Sequence, residues 1–366
     1  MKRCNKISVS LFFFISAFIH ISSANIMAQP VKEIRGVWVS PSLFGTEEKS
    51  AVEKIQSTLD EYKDAGVNTL IIMIKSTSGL VYYNSAIAQR DTSYKWDFFG
   101  TFLKEARKRE MAVHPWFCVF TEGGLYGEVR KHPEWLIQSR KSEFVNVVNP
   151  ALPAVREYEM SLILELVKNY DVDWVHLDYI RYPCSPAEVY FSFDSGTRAQ
   201  FKKYLGEDPL LIKNADSGNM VWNEWIEWNA SQVTLFVSDL KNALAGIRKN
   251  VKISAAVFPL SSNSKVLIGQ DWELWAKEGV VDMLCPMLYT DYNDLFLKYS
   301  GTAADIAKNR CLLCNGIGLY TAHNKNTPER VIRQMQISRE VKADGVIFFS
   351  AGSLTKEIID AIKSVR

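Results

Sequence analysis

Histidine is scarce in this chain: five among 366 residues, with no HxxxH or HxH spacing between them. A metal site built on paired imidazoles therefore has no support, and no metal or other cofactor is expected. There is no GxGxxG after an apolar run, no P-loop and no GxSxG elbow. Those absences remove the usual signs of a dinucleotide site, a phosphate cradle and a serine hydrolase. Charge of one sign is missing as well, with 43 basic against 41 acidic residues. Without Lys2, Arg3 and Lys6 of the N-terminal leader, 40 basic residues face 41 acidic ones. A near-neutral chain offers no electrostatic footprint for nucleic acid. No repeat or low-complexity tract is present, and 47% hydrophobic with 23% charged residues are globular proportions. Collagen-like, coiled-coil and disordered readings fall away.

Residues 1–28 read as a secretory signal peptide. Lys2, Arg3 and Lys6 precede an apolar stretch from Ile7 to Ile21, and Ala24 and Ala28 offer cleavage sites. That stretch, about 15 residues, is shorter than the roughly 20 needed to span a bilayer. No cysteine follows it, so a lipid anchor is not expected. The expected mature chain, 29–366, is a single domain that is periplasmic or secreted, with no membrane span; nothing in the sequence sets an oligomeric state. Cys118, Cys184, Cys285, Cys311 and Cys314 remain, an odd number. Cys311 and Cys314 form a CxxC inside RCLLCNGIGLY, which reads as a buried strand. Residues three apart on a strand face opposite ways, so buried free thiols are expected there rather than a metal or disulfide pair.

Eight short apolar runs recur along the mature chain: IRGVWVS (34–40), VNTLIIMIK (67–75), MAVHPWFCV (111–119), VDWVHLDYI (172–180), VKISAAVF (251–258), VDMLCPML (281–288), CLLCNGIGL (311–319) and DGVIFFS (344–350). Amphipathic helical stretches separate nearly all of them, as in VEKIQSTLDEYKDAG with Val52, Ile55, Leu59 and Tyr62 on one side. Near-continuous apolar strands alternating with helices are the mark of a parallel sheet covered by helices. Eight such units predict an α/β fold, a closed (β/α)8 TIM barrel. Two long βα segments, 120–150 and 181–232, follow the third and fourth strands. Both are rich in aromatic residues and emerge on the face where such barrels place their active sites.

The fourth run is the most informative. Along a strand, Trp174, His176 and Asp178 share one face, with Asp178 at the C-terminal end and Arg181 just beyond. An inward carboxylate is costly unless partnered, and Arg181, His176, Tyr179 or Tyr182 could partner it. The third run places His114, Trp116 and Cys118 on one face, followed by Glu122. The sixth places Met287, Tyr289 and Asp291 together, and the second ends at Lys75. Two carboxylates flanking a glycosidic bond can cleave it, one protonating the leaving oxygen and the other attacking carbon or activating water. Asp178 with Asp291 or Glu122 could supply such a pair.

These residues resemble a known family. EIRGVWVS, AGVNTLIIMIKSTSGLVYY, VHPWF, HPEWL, VNPALPAVREY, YDVDWVHLDYIRYP, ISAAVFP, GQDWELW and VDMLCPMLYTD, in this order from about residue 33 to 352, look like the glycosyl-hydrolase-like family ten, also called the domain of unknown function 187 family. The resemblance implies a TIM barrel, export to the cell envelope and hydrolysis of a polysaccharide, with bacterial cell-wall glycan a substrate for the family. Asp178 matches the aspartate of its HLDYIRYP segment. The fourth run also resembles a degenerate chitinase motif. Asp173 and Asp178 match two of its aspartates, His176 replaces a third, and Ile180 stands where the acid glutamate would be. Met287-Leu288-Tyr289 with Asp291 is similar to the chitinase sixth-strand motif with one residue inserted. This likeness points to N-acetylated sugars.

The expectation is thus an exported glycoside hydrolase acting on an oligo- or polysaccharide. Asp178 is its principal carboxylate, Asp291 the second and Glu122 the runner-up. His176, Arg181 and Tyr289 would orient that pair. Trp38, Trp116 and Tyr83 would line sugar subsites, with Lys75 and His114 as further substrate contacts. The alternative is a non-catalytic glycan-binding protein on a degenerate hydrolase barrel.

Overall fold

The computed structural model describes residues 33–184, 191–213 and 215–365. The expected signal peptide lies outside the described residues. In chain order the strands are β1 (Ile34–Val39), β2 (Thr69–Lys75), β3 (Ala112–Cys118), β4 (Leu136–Gln138), β5 (Phe144–Val148), β6 (Trp174–Asp178), β7 (Lys252–Val257), β8 (Met283–Pro286), β9 (Leu312–Gly318) and β10 (Gly345–Phe349). The helices are α1 (Glu48–Asp64), α2 (Phe98–Lys108), α3 (Pro153–Asn169), α4 (Ser195–Leu205), α5 (Met220–Ile247), α6 (Ser261–Ile268), α7 (Trp272–Glu278), α8 (Asn293–Ala307), α9 (Pro328–Glu340) and α10 (Lys356–Ser364).

Eight strands close into a parallel barrel in the order β1-β10-β9-β8-β7-β6-β3-β2. All eight expected runs are barrel strands, so the TIM-barrel expectation holds. Their ends are trimmed by at most two residues. The sixth run stops at Pro286, whose missing N–H interrupts the ladder. One element was not foreseen: β4 and β5 pair as a small antiparallel hairpin within the long segment after β3. Among the described residues no helix is long and apolar enough to cross a membrane.

The helices form because their apolar residues fall on one side and their ends are capped. In α1, Ala51, Ile55, Leu59 and Tyr62 are buried, while the Glu47 carboxylate accepts from the Lys49 and Ser50 amides. Each strand then buries both faces. Outward side chains such as Leu70, Ile72, Val175 and Leu177 pack under the helices. Inward ones fill the barrel with a separate cluster that includes Trp38, Ile71, Trp116, Cys118, Met283, Cys285, Cys314 and Ile347. Gly316 makes room in that interior, since a Cβ there would lie 2.9 Å from the Pro286 carbonyl and 3.3 Å from the Trp38 ring. The described cysteines are free thiols. Cys314 is buried in the barrel, whereas Cys311 lies just before β9 and is only half-buried.

Candidate active site

The barrel interior is stacked in layers along β6. At the lower end Trp174 lies flat against His114, ring centroids 4.4 Å apart, with the Lys252 ammonium 5.2 Å from the Trp174 ring. Above it, His176 Nε2 accepts the Trp38 indole N–H at 3.1 Å. Its Nδ1–H then faces the Ser254 hydroxyl at 2.9 Å, and the same hydroxyl stands 2.9 Å from His114 Nδ1. Burial holds both histidines far below the usual imidazole range, His114 at about 3, so each is neutral. This chain of ring, hydroxyl and ring packs the barrel interior. His114 and His176 were expected to meet substrate, but they are sealed beneath the rim, because their strand positions fall two and one turns of the pleat below it. Trp38 is likewise buried, with its N–H committed to His176 and its ring edge against Phe349.

Asp178 tops this column, paired in register with Cys118 of β3. Its carboxyl is buried, and burial raises its pKa against the opposing pull of Arg181, the Tyr179 amide and the Trp116 indole. Asp178 Oδ1 accepts the Tyr179 N–H at 2.6 Å and lies 3.8 Å from Arg181 Nη1. The Arg181 guanidinium is held between two rings, 4.4 Å from Tyr179 and 5.1 Å from Phe258. Tyr179 itself adopts φ +49°, a left-handed conformation that costs on the order of 1–3 kcal/mol in a non-glycine residue. Two buried donors here, Trp116 Nε1 and Arg181 Nη1, face Asp178 without a well-formed hydrogen bond: the indole and the guanidinium both pull on its titration, the latter from 3.8 Å. Tyr289 closes the far side, stacked on Phe349 at 5.3 Å, and the Asp178 charge pushes its hydroxyl further up after burial has raised it. Asp178, Trp116, Arg181 and Tyr289 are therefore brought together.

Asp291 stands on the loop after β8, partly exposed. Arg330 Nη1 at 2.7 Å and the Lys325 amide at 3.1 Å both bond to its Oδ1, leaving Oδ2 outside those two contacts. Among the described residues, none of the groups that shift Asp178 is an acid.

Three expected site residues lie outside the barrel interior. A register shift between Met73 and Lys75 turns the Lys75 side chain out of the barrel, toward α3. There its ammonium pairs with Glu122 at 2.8 Å and Glu159 at 2.9 Å, all three side chains 0–1% exposed. The sequence placed Lys75 and Glu122 at the barrel mouth; the bulge and the loop packing remove both from it. Gly79 clamps the arrangement, since a Cβ there would lie 2.4 Å from Glu122 Oε1. Tyr83, expected at a sugar subsite, is buried against α3, where its hydroxyl meets Glu165 at 3.1 Å and the Leu162 carbonyl at 3.2 Å. Glu159 was missed. Its sequence signal was an acid on the apolar side of α3, four residues after Val155 and three before Leu162.

A family model described as Glycosyl hydrolase-like 10 matches residues 33–329. The chain belongs to that family. Its class is glycoside hydrolase. It is 25% identical to the glycosyl hydrolase YngK of Bacillus subtilis over 97% of this chain and 76% of the relative. It is 23% identical to the glycosyl hydrolase DigH of Escherichia coli over 72% of this chain and 64% of that relative. Among solved structures it resembles the PgaB (BpsB) glycoside hydrolase domain of Bordetella bronchiseptica, with TM-score 0.74, 13% identity, and 91% and 98% of the two chains covered. A β-amylase catalytic domain from Paenibacillus polymyxa gives TM-score 0.67 at 11% identity, covering 92% and 98%. At those identities the likeness is one of fold. For a Glycosyl hydrolase-like 10 barrel, the chemistry must then be argued from the rim around Asp178. Among the described residues no group of three or more His, Cys, Asp or Glu side chains is arranged to hold a metal ion.

Proposed function

We propose that this family member is an exported hydrolase of a bacterial polysaccharide, an N-acetylhexosamine-containing cell-wall glycan, with Asp178 as the proton donor. The observation that carries the reading is the Asp178 carboxyl: buried at the C-terminal end of a barrel strand, its titration raised by desolvation, with the Trp116 indole, the Arg181 guanidinium and aromatic rings around it. A carboxylic acid whose proton affinity is raised can give its proton to the glycosidic oxygen as the C–O bond breaks. Trp116 Nε1 and Arg181 Nη1 supply donors to substrate oxygens, and Tyr289 and Tyr179 supply ring faces. Asp291 is the second carboxylate, its Oδ2 taking a proton from the water that attacks the anomeric carbon. It stands two residues beyond Tyr289, whose hydroxyl senses Asp178. The N-acetylated substrate is supported by the chitinase-like Asp173, Asp178, Tyr289 and Asp291 pattern, and export by the leader-like residues 1–28.

Product release from purified peptidoglycan strands, with and without stem peptides, tests this. Wild type releases products and Asp178→Asn loses about a thousandfold or more in rate. Equal release by both proteins, or binding by both with no release, overturns it. The second result would favour a glycan-binding barrel.

A further inference from the structure

Lys75, Glu122 and Glu159 place one ammonium and two carboxyls in a space closed to solvent, between the barrel wall and α3. Such clusters are costly and are retained only where the surroundings over-determine them. Here the ammonium does more than pair. Lys75 Nζ also donates to the Cys118 carbonyl at 3.1 Å and the Val119 carbonyl at 3.0 Å. Those carbonyls lie at and just past the end of β3, and the amides of the same peptide units run straight to the candidate acid. Val119 N–H donates to the Asp178 carbonyl at 2.8 Å, and Phe120 N–H to the Tyr179 carbonyl at 3.1 Å. Val148 of the hairpin then donates to the Phe120 carbonyl at 2.8 Å.

We propose that the buried Lys75–Glu122–Glu159 cluster is a positioning device: it fixes the end of β3, and through it the left-handed Asp178–Tyr179 corner that aims the carboxyl. The proposal rests on the reading of Asp178 as the acid. Its logic is mechanical. Tyr179 sits at φ +49° and needs its carbonyl held. The amide that holds it belongs to the segment that Lys75 grips through two carbonyls. Glu122, on the loop after β3, and Glu159, on α3, tether the ammonium from both sides. The three side chains meet between the barrel wall and α3, so their effect on catalysis is indirect.

The test uses the mature chain with a soluble glycan fragment and 15N-labelled tryptophan. The Trp116 indole signal, assigned through Trp116→Phe, reports the titration of the adjacent Asp178, which Arg181, Tyr179, Tyr289 and Cys118 face. Lys75→Met lowers kcat at least tenfold with KM within about twofold, and moves the midpoint of the indole titration by half a pH unit or more. Glu159→Gln keeps the Lys75–Glu122 pair and both carbonyl bonds, so it moves kcat and the midpoint the same way by a smaller amount. If Lys75→Met does not fold, Glu159→Gln decides alone: wild-type kcat together with a wild-type indole titration overturns the proposal. A KM effect without a kcat effect overturns it too. Should Asp178→Asn retain full activity, the proton-donor reading has failed. The indole midpoint in Lys75→Met still shows whether the cluster positions Asp178.

Discussion

Asp178 ends one barrel strand and Glu122 stands four residues past another; both are buried, and the sequence offers both as catalytic acids. They differ in what burial gives them. Asp178 lies on the inner side of the barrel, with an arginine 3.8 Å away, the Trp116 indole beside it and a carboxyl pushed up by desolvation. Glu122 lies between barrel and helices with an ammonium at 2.8 Å and a second carboxyl sharing it. Burial raises the proton affinity of an acid that lacks a close ion pair, whereas an acid beside a buried lysine is tied into that pair. Which side of the wall a residue occupies decides its role, and for Lys75 a single bulge sets that side.

The comparison can be broken most forcefully at Asp291. If it is the base that pairs with Asp178, Asp291→Asn lowers kcat about a hundredfold with little change in KM, as read in steady-state kinetics. An unchanged kcat would leave Asp178 without a partner on that loop. Arg181→Leu is next. Arg181 opposes the effect of burial, so its loss raises the Asp178 pKa further. The alkaline limb of the pH–rate profile then moves up by about one unit; a limb that stays put removes Arg181 from the acid's surroundings.

The helix-layer cluster predicts a stability effect instead. Burial, outweighing the pull of Lys75 and helped by Glu122, raises Glu159 from 4.5 to about 8. Below pH 4.5 both folded and unfolded chains hold this proton. From there to about 8 only the folded chain does, so stability falls across that window and levels off above it. Glu159→Gln removes that slope, and its melting temperature relative to wild type should climb between pH 5 and 8. His114 and His176 act at the other end. Held neutral in the fold, they contribute stability that is present above pH 6.5 and lost as pH falls below it. The smallest effect is at Tyr83. Tyr83→Phe deletes its hydroxyl contacts with Glu165 and Leu162, costing about 1 kcal/mol in denaturant unfolding and leaving KM untouched. A raised KM would put Tyr83 back at a sugar subsite.

The fold was legible because apolar runs and helical spacing repeat eight times, and a parallel barrel buries both faces of every strand. The inward column of Trp174, His176 and Asp178 followed from the two-residue period of a strand. That period could not tell depth, so His176 and His114 read as rim residues when they are packed in the barrel interior. Nor could it foresee the bulge before Lys75, which turned that side chain out to meet Glu122 and Glu159. Tyr83 failed for a related reason: in a loop, an aromatic that packs on a helix looks the same as one that faces a sugar. Asp178, at the last inward position of its strand with an arginine three residues on, needed neither depth nor loop geometry.

The most direct measurement compares two substrates in the Asp178→Asn protein: a natural-type glycan, and an aryl glycoside whose leaving group departs without protonation. If Asp178 is the proton donor, cleavage of the glycan falls about a thousandfold or more while cleavage of the activated glycoside stays within about tenfold of wild type. Equal loss on both substrates would contradict that role, and no loss on either would remove Asp178 from the chemistry.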